Sequence, residues 1–122
     1  NMATPNLVNI TSITPFTIAG QVTTSATDVI DTTDETCRKI NSIIISNVDG
    51  SNSADVTVEI SVDNGSNYRN IAKTVAVPAD ASITIIGKDN SIYLDESDLL
   101  RLTASANSDL EYVISGEILN DA

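Results

Sequence analysis

Apolar and polar residues alternate along most of the chain. The clearest case runs from Val56 to Val62, where every second residue is Val or Ile and the others are Thr, Glu and Ser. Successive side chains of a β-strand point to opposite sides, so this pattern predicts a strand with one buried face and one solvated face. Asn64 and Gly65 follow, and both tolerate positive φ, so they predict a hairpin.

The returning strand is predicted over residues 68–77, and Pro78 ends it because proline has no N–H for the ladder. Simple alternation divides this strand into two faces, with Ala72, Thr74 and Ala76 on one and Lys73, Val75 and Val77 on the other. Residues 39–48 predict an earlier strand. Its three consecutive isoleucines, at 43–45, indicate burial on both faces or a bulge.

Turn clusters divide the rest of the chain into short strands, among them residues 82–86 and 92–94. The clusters lie at residues 49–53, 87–90, 95–98 and 107–109. The predicted inward residues of the later strands are Leu100, Leu102, Ala104 and Ala106, then Leu110, Tyr112, Ile114 and Ile118. About eight strands at intervals near ten residues predict an all-β fold for residues 1–122. We expect one domain, an antiparallel β-sandwich of jelly-roll or immunoglobulin-like type.

The N-terminal segment carries no charged residue before Asp28. Phe16, Ile18 and Val22 have the spacing of one strand face, and Val29 and Ile30 mark a second short strand. Residues 2–13 have apolar side chains but no partner nearby in sequence. We therefore predict an extended N-terminal arm over residues 2–22 that contacts other chains.

Charge restricts the partners of this chain. It has 17 acidic and 6 basic residues, a formal net charge of −11. Such a chain repels phosphate backbones and anionic lipid, and it lacks the basic stripe of a nucleic-acid binder. No apolar stretch approaches the ~18 residues of a membrane span. We expect no nucleic-acid or membrane partner, and we interpret the acidity mainly as a solubility feature, with a basic partner or divalent cations as the alternative.

Catalytic chemistry has few candidate residues. The chain has no histidine, which removes imidazole bases and histidine metal ligands, and its five glycines are scattered rather than grouped in a phosphate loop. Asp95, Glu96 and Asp98 could serve a glycosidase, but such clefts usually also offer aromatic platforms. We predict no enzyme, no catalytic residues and no cofactor.

Two acidic loops are the candidates for calcium, which needs only oxygen ligands. One contains Asp49, Ser51, Asn52 and Asp55, and the other contains Asp95, Glu96 and Asp98. Neither has the EF-hand spacing, and Asp and Asn commonly form turns, so we predict no metal site. Tyr68, Tyr93 and Tyr112 are the only tyrosines and give a weak signal for a sugar site. The single cysteine, Cys37, is interpreted as a small buried apolar residue.

Five short segments resemble β-sandwich domains of tailed-bacteriophage virion proteins, in their tail fibres, head decoration and neck regions. The matching residues are Ile45-Ser46-Asn47, Val56-Thr57-Val58, Val77-Pro78-Ala79, Leu94 with Asp98-Leu99-Leu100-Arg101, and Glu117-Ile118. The resemblance covers about two-thirds of the chain. Ser97 departs from it, since the family often has glycine before the aspartate.

The resemblance implies a structural protein of a phage virion, in the capsid, neck or tail. We expect it to bind other virion proteins and its own copies, through sheet edges and the N-terminal arm. The start of the chain lacks the pattern of a secretory signal, so assembly in the host cytoplasm is expected. The alternatives are a receptor- or glycan-binding module of a fibre and a calcium-dependent surface adhesin.

Overall fold

The computed structural model describes residues 7–32 and 36–120, and strands occupy most of both segments. In chain order these are β1 (Ser12–Gln21), β2 (Thr27–Asp31), β3 (Thr36–Asn47), β4 (Ala54–Ser61), β5 (Arg69–Val77), β6 (Ser82–Ile86), β7 (Ile92–Leu94), β8 (Leu99–Ala104) and β9 (Leu110–Asn120). Two short 3₁₀ helices, Leu7–Asn9 and Lys88–Asn90, complete the elements. No helix in the described segments has the length and apolarity to cross a membrane.

The strands form two antiparallel sheets. The front sheet has the order β1-β9-β3-β6, and β7 also pairs with β3, beyond the end of β6. The back sheet has the order β2-β8-β4-β5. The predicted all-β antiparallel sandwich is confirmed, with nine strands in the described residues where about eight were predicted.

The core lies between the two sheets and consists almost entirely of aliphatic side chains. Its fully buried members include Ile40, Ile43, Ile45 and Ile114 of the front sheet and Val56, Val58, Leu100 and Leu102 of the back sheet. Each such side chain contributes roughly 1.5–3 kcal/mol through its removal from water. The predicted inward residues of β8 and β9 therefore supply much of this core.

The three consecutive isoleucines of β3 alternate between the two sides of the front sheet, and a bulge precedes them. The register against β9 shifts between Ile40 and Ser42. Beyond this shift Ile43 and Ile45 are fully buried, while Ile44 lies on the opposite side of the sheet and is half-buried. The isoleucine run itself has ordinary alternation, and the bulge before it turns Ile43 to the same side as Ile40.

The β4–β5 hairpin confirms one prediction and corrects two others. Asn64 and Gly65 have φ of 59° and 87°, as predicted. Val62, predicted to point inward, is 70% exposed because β4 ends at the preceding residue. The predicted faces of β5 hold for Val75 and Val77 but not for Ala72, because a bulge between Ala72 and Val75 turns Ala72 to the same side as these two residues. Within it Thr74 takes a φ of 47°.

Most of the predicted N-terminal arm is a strand of the front sheet. Residues 12–21, part of the predicted arm, form β1 and pair with β9 over their whole length. Phe16, Ile18 and Val22 pack on the core, as their spacing predicts. Residues 2–6 of the predicted arm lie outside the described residues. Pairing with β9 gives the apolar residues of β1 the partner that is missing nearby in sequence.

Candidate functional site

The outer surface of the front sheet spans β1, β9, β3, β6 and β7. Directly opposed residues of an antiparallel pair lie on the same side of the sheet, so the register defines this surface. We call it the front face. It consists of Ile13, Pro15, Thr17, Ala19 and Gln21 of β1; Cys37, which is buried, and Lys39, Ser42, Ile44 and Ser46 of β3; Ser82 and Thr84 of β6; Tyr93 of β7; and Glu111, Val113, Ser115, Glu117 and Leu119 of β9.

An apolar row crosses the middle of the front face. Ala19, Val113 and Ile44 lie side by side on β1, β9 and β3, and Thr84 extends the row onto β6. Val113 is 42% exposed although it is surrounded by other strands. Contiguous apolar patches, rather than single exposed residues, mark surfaces that another protein covers, so the row as a whole is the relevant feature.

A shallow depression of about 330 Å³ lies at one end of the front face. Its lining comes from Ala19, Gly20 and Gln21 of β1, Ser46 of β3 and residues 111–113 of β9. Gly20 faces the Tyr112 ring, and a Cβ added at Gly20 would lie 3.0 Å from the Tyr112 hydroxyl oxygen. Small residues thus let the ring pack closely beneath β1 and leave the surface above it concave.

The outer surface of the back sheet is covered by its own side chains. Arg101 makes two hydrogen bonds of 3.1 Å to the two carboxylate oxygens of Glu59. The Tyr68 ring centroid lies 3.5 Å from the Arg101 guanidinium carbon, and the Tyr68 hydroxyl donates to Asp28 Oδ1 at 2.8 Å. The β4–β5 loop also covers Leu99, which lies below Gly65. The two outer surfaces therefore differ in chemistry: polar side chains pair across the back one, and an apolar row crosses the front one.

Replacement of Arg101 by alanine should destabilise the protein by roughly 2 kcal/mol, because the Glu59 carboxylate would lose its ion pair while it stays mostly shielded from water. The Glu59 side chain is 16% exposed and that of Arg101 26%. Urea denaturation of Arg101→Ala and of Arg69→Ala provides the test. Arg69 is exposed on β5 and should change the free energy of unfolding by less than ~0.5 kcal/mol. Equal effects of the two changes would contradict the role given to the pair.

Carboxylates in both candidate calcium loops hydrogen-bond to turn backbone. Asp49 accepts from the Ser51 N–H at 3.0 Å, and this bond, followed by one from the Asn52 amide, holds the pKa of Asp49 below its usual value. Asp98 accepts from the Asp95 N–H at 2.9 Å, while burial raises the pKa of Asp98. Within residues 7–32 and 36–120, no group of three or more Asp, Glu, His or Cys is placed to hold a metal ion.

The three tyrosines occupy three separate places. Tyr68 lies over the back sheet, Tyr112 packs on the core, and Tyr93 is 51% exposed at the β7 side of the front face. They therefore form no shared aromatic groove of the kind that the glycan-binding alternative requires.

Cys37 begins β3 and is buried. Burial, with smaller contributions from Asp95 and Asp98, raises the pKa of its thiol from 9.0 to about 11. Because the folded value exceeds the unfolded one, the thiol contributes stability below pH 9 that is lost as the pH rises towards 11.

We expect native Cys37 to react with a disulfide reagent at pH 8 no faster than the protein opens, and urea should accelerate the reaction. The rate of thiol labelling with and without urea measures this difference. Rapid labelling of the folded protein would show that the thiol is accessible.

Two residues of the phage-like segments have clear structural roles. Asn47 is buried at the end of β3, and its amide nitrogen donates to the carbonyl oxygens of Val77 and Asn52, both at 2.9 Å. It thus joins the front sheet to the end of β5. Ser97 has a φ of 66°, a left-handed conformation that favours glycine. The position where this chain departs from the resemblance is therefore one where glycine fits best.

One residue of the front face can be recognised in the sequence, but only the strand register shows which residues lie beside it. Val113 falls on the polar side of the β9 alternation, among Glu111, Ser115 and Glu117. An apolar residue there, without a covering segment, indicates a contact surface. Ala19 and Ile44 join it only through strand pairing with residues distant in sequence.

Comparison with known proteins gives structural neighbours but no family. No family model and no curated protein matches the chain. The core of Drosophila NLP, described in terms of pentamer formation and histone binding, shares 14% identity at a TM-score of 0.48, over 85% of this chain and 96% of that one. Two structures of a pentameric capsid protein from metagenomic phage sequences share 15% identity at a TM-score of 0.40, over 85% of this chain.

This chain spans 60% and 64% of the length of the two capsid protein chains. All three TM-scores are below 0.5, so these matches assign neither a family nor a function to the chain. The functional argument rests on the geometry of the front face and on the sequence.

Proposed function

We propose that this chain is a non-enzymatic structural protein of a bacteriophage particle, which acts through protein–protein contacts. The front face carries this proposal, because it is broad, nearly uncharged and uncovered by any described segment. Interfaces of this kind are depleted in charge at their centre, where the row of Ala19, Val113 and Ile44 lies.

The order of the strands supports the jelly-roll alternative over the immunoglobulin-like one. Strands β1, β9, β3 and β6 form one sheet and β2, β8, β4 and β5 the other, so consecutive strands mostly alternate between sheets. With β6 and β7 sharing one position, this is the order of an eight-stranded double Greek key. That architecture recurs in viral capsid domains and in lectins.

The phage assignment rests on the sequence resemblance, and the roles of Asn47 and Ser97 support it. Asn47 ends β3 with a side chain that binds three backbone groups, including the N–H of Asp49. Ser97 adopts the turn conformation in which the family often has glycine. A position in the capsid, neck or tail, with assembly in the host cytoplasm, follows from the same proposal.

Mass spectrometry of gradient-purified particles from the phage that encodes this chain tests the proposal. We expect the chain in fixed proportion to the other virion proteins, and retained after a high-salt wash. A chain present in the infected-cell lysate but absent from particles would overturn the structural role.

Deletion of residues 2–10 tests the predicted N-terminal contact and leaves β1, which begins at Ser12, intact. We expect less of the shortened chain in particles than of the full chain expressed at the same level. Equal incorporation would show that the N-terminal segment makes no contact needed for assembly, and it would leave the proposal for the front face unchanged.

A further inference from the structure

We infer that the front face is an interface between copies of this chain, with a second copy as its occupant. The inference rests on the proposed function, since it names a partner for the surface that carries it. Three observations support it: the low net charge of the front face, the area of that face, and the unpaired edge of β1.

Charge favours the front face for self-association over the acidic loop end of the sandwich. The chain carries a net charge of −11, so two copies repel each other over most of their surface. The front face has two carboxylates, Glu111 and Glu117, and one ammonium, Lys39, which leaves a net charge of −1. Lys39 and Glu117 also lie opposite each other in the β3–β9 register.

The loops at one end of the sandwich are less suited to a second acidic copy, and the charges of the back surface are already paired within the chain. Asp49, Asp80 and Asp109 lie in loops at one end of the sandwich, and these loops contain no basic residue. The back surface carries the Glu59–Arg101 pair and Asp28, which Tyr68 already binds. A strongly basic partner would suit those acidic regions better than it would suit the front face.

The area of the front face suffices for a specific interface. At ~3.3 Å per residue along a strand and ~4.8 Å between strands, four strands of this length present roughly 600 Å² per copy. Two copies would then bury roughly 1,200 Å² in total, which reaches the lower end of stable protein–protein interfaces. Its small and β-branched residues suit the packing of one sheet against another.

The open edge of β1 continues the same surface. Among the described strands β1 pairs only with β9, so its other edge is unpaired. Its ten residues carry no charge, and Pro15 is the only one without an N–H. The edge therefore adds hydrogen-bonding groups beside the apolar row, where the second copy could bind them.

Sedimentation velocity of the purified full chain, over a wide concentration range, tests the inference. We expect the wild-type protein to associate, and the association to tighten with salt as the repulsion between copies is screened. Val113→Asp and Ala19→Asp should each weaken association at least ~10-fold, because a buried like charge opposes the contact. Val62→Asp makes the same change as Val113→Asp on an exposed loop and should associate as the wild type does.

Circular dichroism of each variant shows whether it folds, and the use of two front-face variants keeps the test valid if one does not. A wild-type protein that stays monomeric at every concentration, or front-face variants that associate like Val62→Asp, would overturn the inference. Neither result depends on whether the chain occurs in particles, so a failure here is distinct from a failure of the structural role.

Discussion

Gly116→Ala should lower the free energy of unfolding by about 3 kcal/mol, although it adds only one methyl group. Gly116 lies on β9 opposite Ile40, next to the bulge in β3. A Cβ at this position would overlap the carbonyl oxygen of Lys39, a backbone atom that cannot move aside without breaking the β3–β9 ladder. Overpacking of this kind typically costs ~1–3 kcal/mol, and a clash with backbone belongs at the upper end.

Gly87→Ala is the matched control. Gly87 has a φ of −123°, which suits any residue, and its added Cβ would meet its nearest neighbour at 3.6 Å, an ordinary contact. We expect its free energy of unfolding to stay within ~0.5 kcal/mol of the wild type. Urea denaturation of both variants measures the difference, and a Gly116→Ala protein as stable as Gly87→Ala would contradict the close approach of β3 and β9.

Ile114→Ala should cost about 3–4 kcal/mol, because a fully buried side chain in the centre of the front sheet would leave a cavity. Ile114 faces the core beside Ile43 and Ile18, which pair with it across the two neighbouring strands. The packed sheets can close only part of such a cavity.

Val113→Ala is the control for Ile114→Ala, one residue earlier on the same strand. Val113 points to the front face, so in the monomer its truncation should cost less than ~1 kcal/mol. Both should be compared by urea denaturation at low protein concentration, where association contributes least. Similar losses at the two positions would show that β9 does not separate a core side from an outer side.

The sandwich follows from the sequence because its strands alternate and its turns carry recognisable residues. Ser82–Ile86 and Ile92–Leu94 coincide with the predicted strands, since turn residues bound both of them closely. Asn64 and Gly65 identify the hairpin for a physical reason, their tolerance of positive φ. Alternation thus assigns most residues to the inside or the outside of the fold.

Register and bulges could not be derived in the same way. The bulge at Thr74 turns Ala72 to the side of Val75 although Thr normally avoids a positive φ, so no residue preference marks it. Residues 12–21 were interpreted as part of an arm because their partner, β9, lies at the far end of the chain. Long-range pairing of this kind leaves no local pattern in either strand.

The candidate site depends on this long-range information most of all. Val113 is recognisable as an apolar residue on the polar side of its strand, but its neighbours Ala19 and Ile44 come from two other strands. The side-chain contacts on the outer surface of the back sheet could not be predicted either, because Tyr68 and Arg101 are far apart in sequence and meet only in the folded sheet. The contrast between the apolar row of the front and the paired polar side chains of the back emerges only from the packed structure.

Thiol labelling of Val113→Cys, followed as the protein concentration rises, tests most directly whether a second copy covers the front face. Cys37 is buried and its thiol has a raised pKa, so the introduced cysteine should dominate the reaction. We predict that labelling at position 113 slows as copies associate, while labelling of Val62→Cys, on the exposed loop, keeps the same rate. Labelling at position 113 that stays equally fast at every concentration would contradict the account.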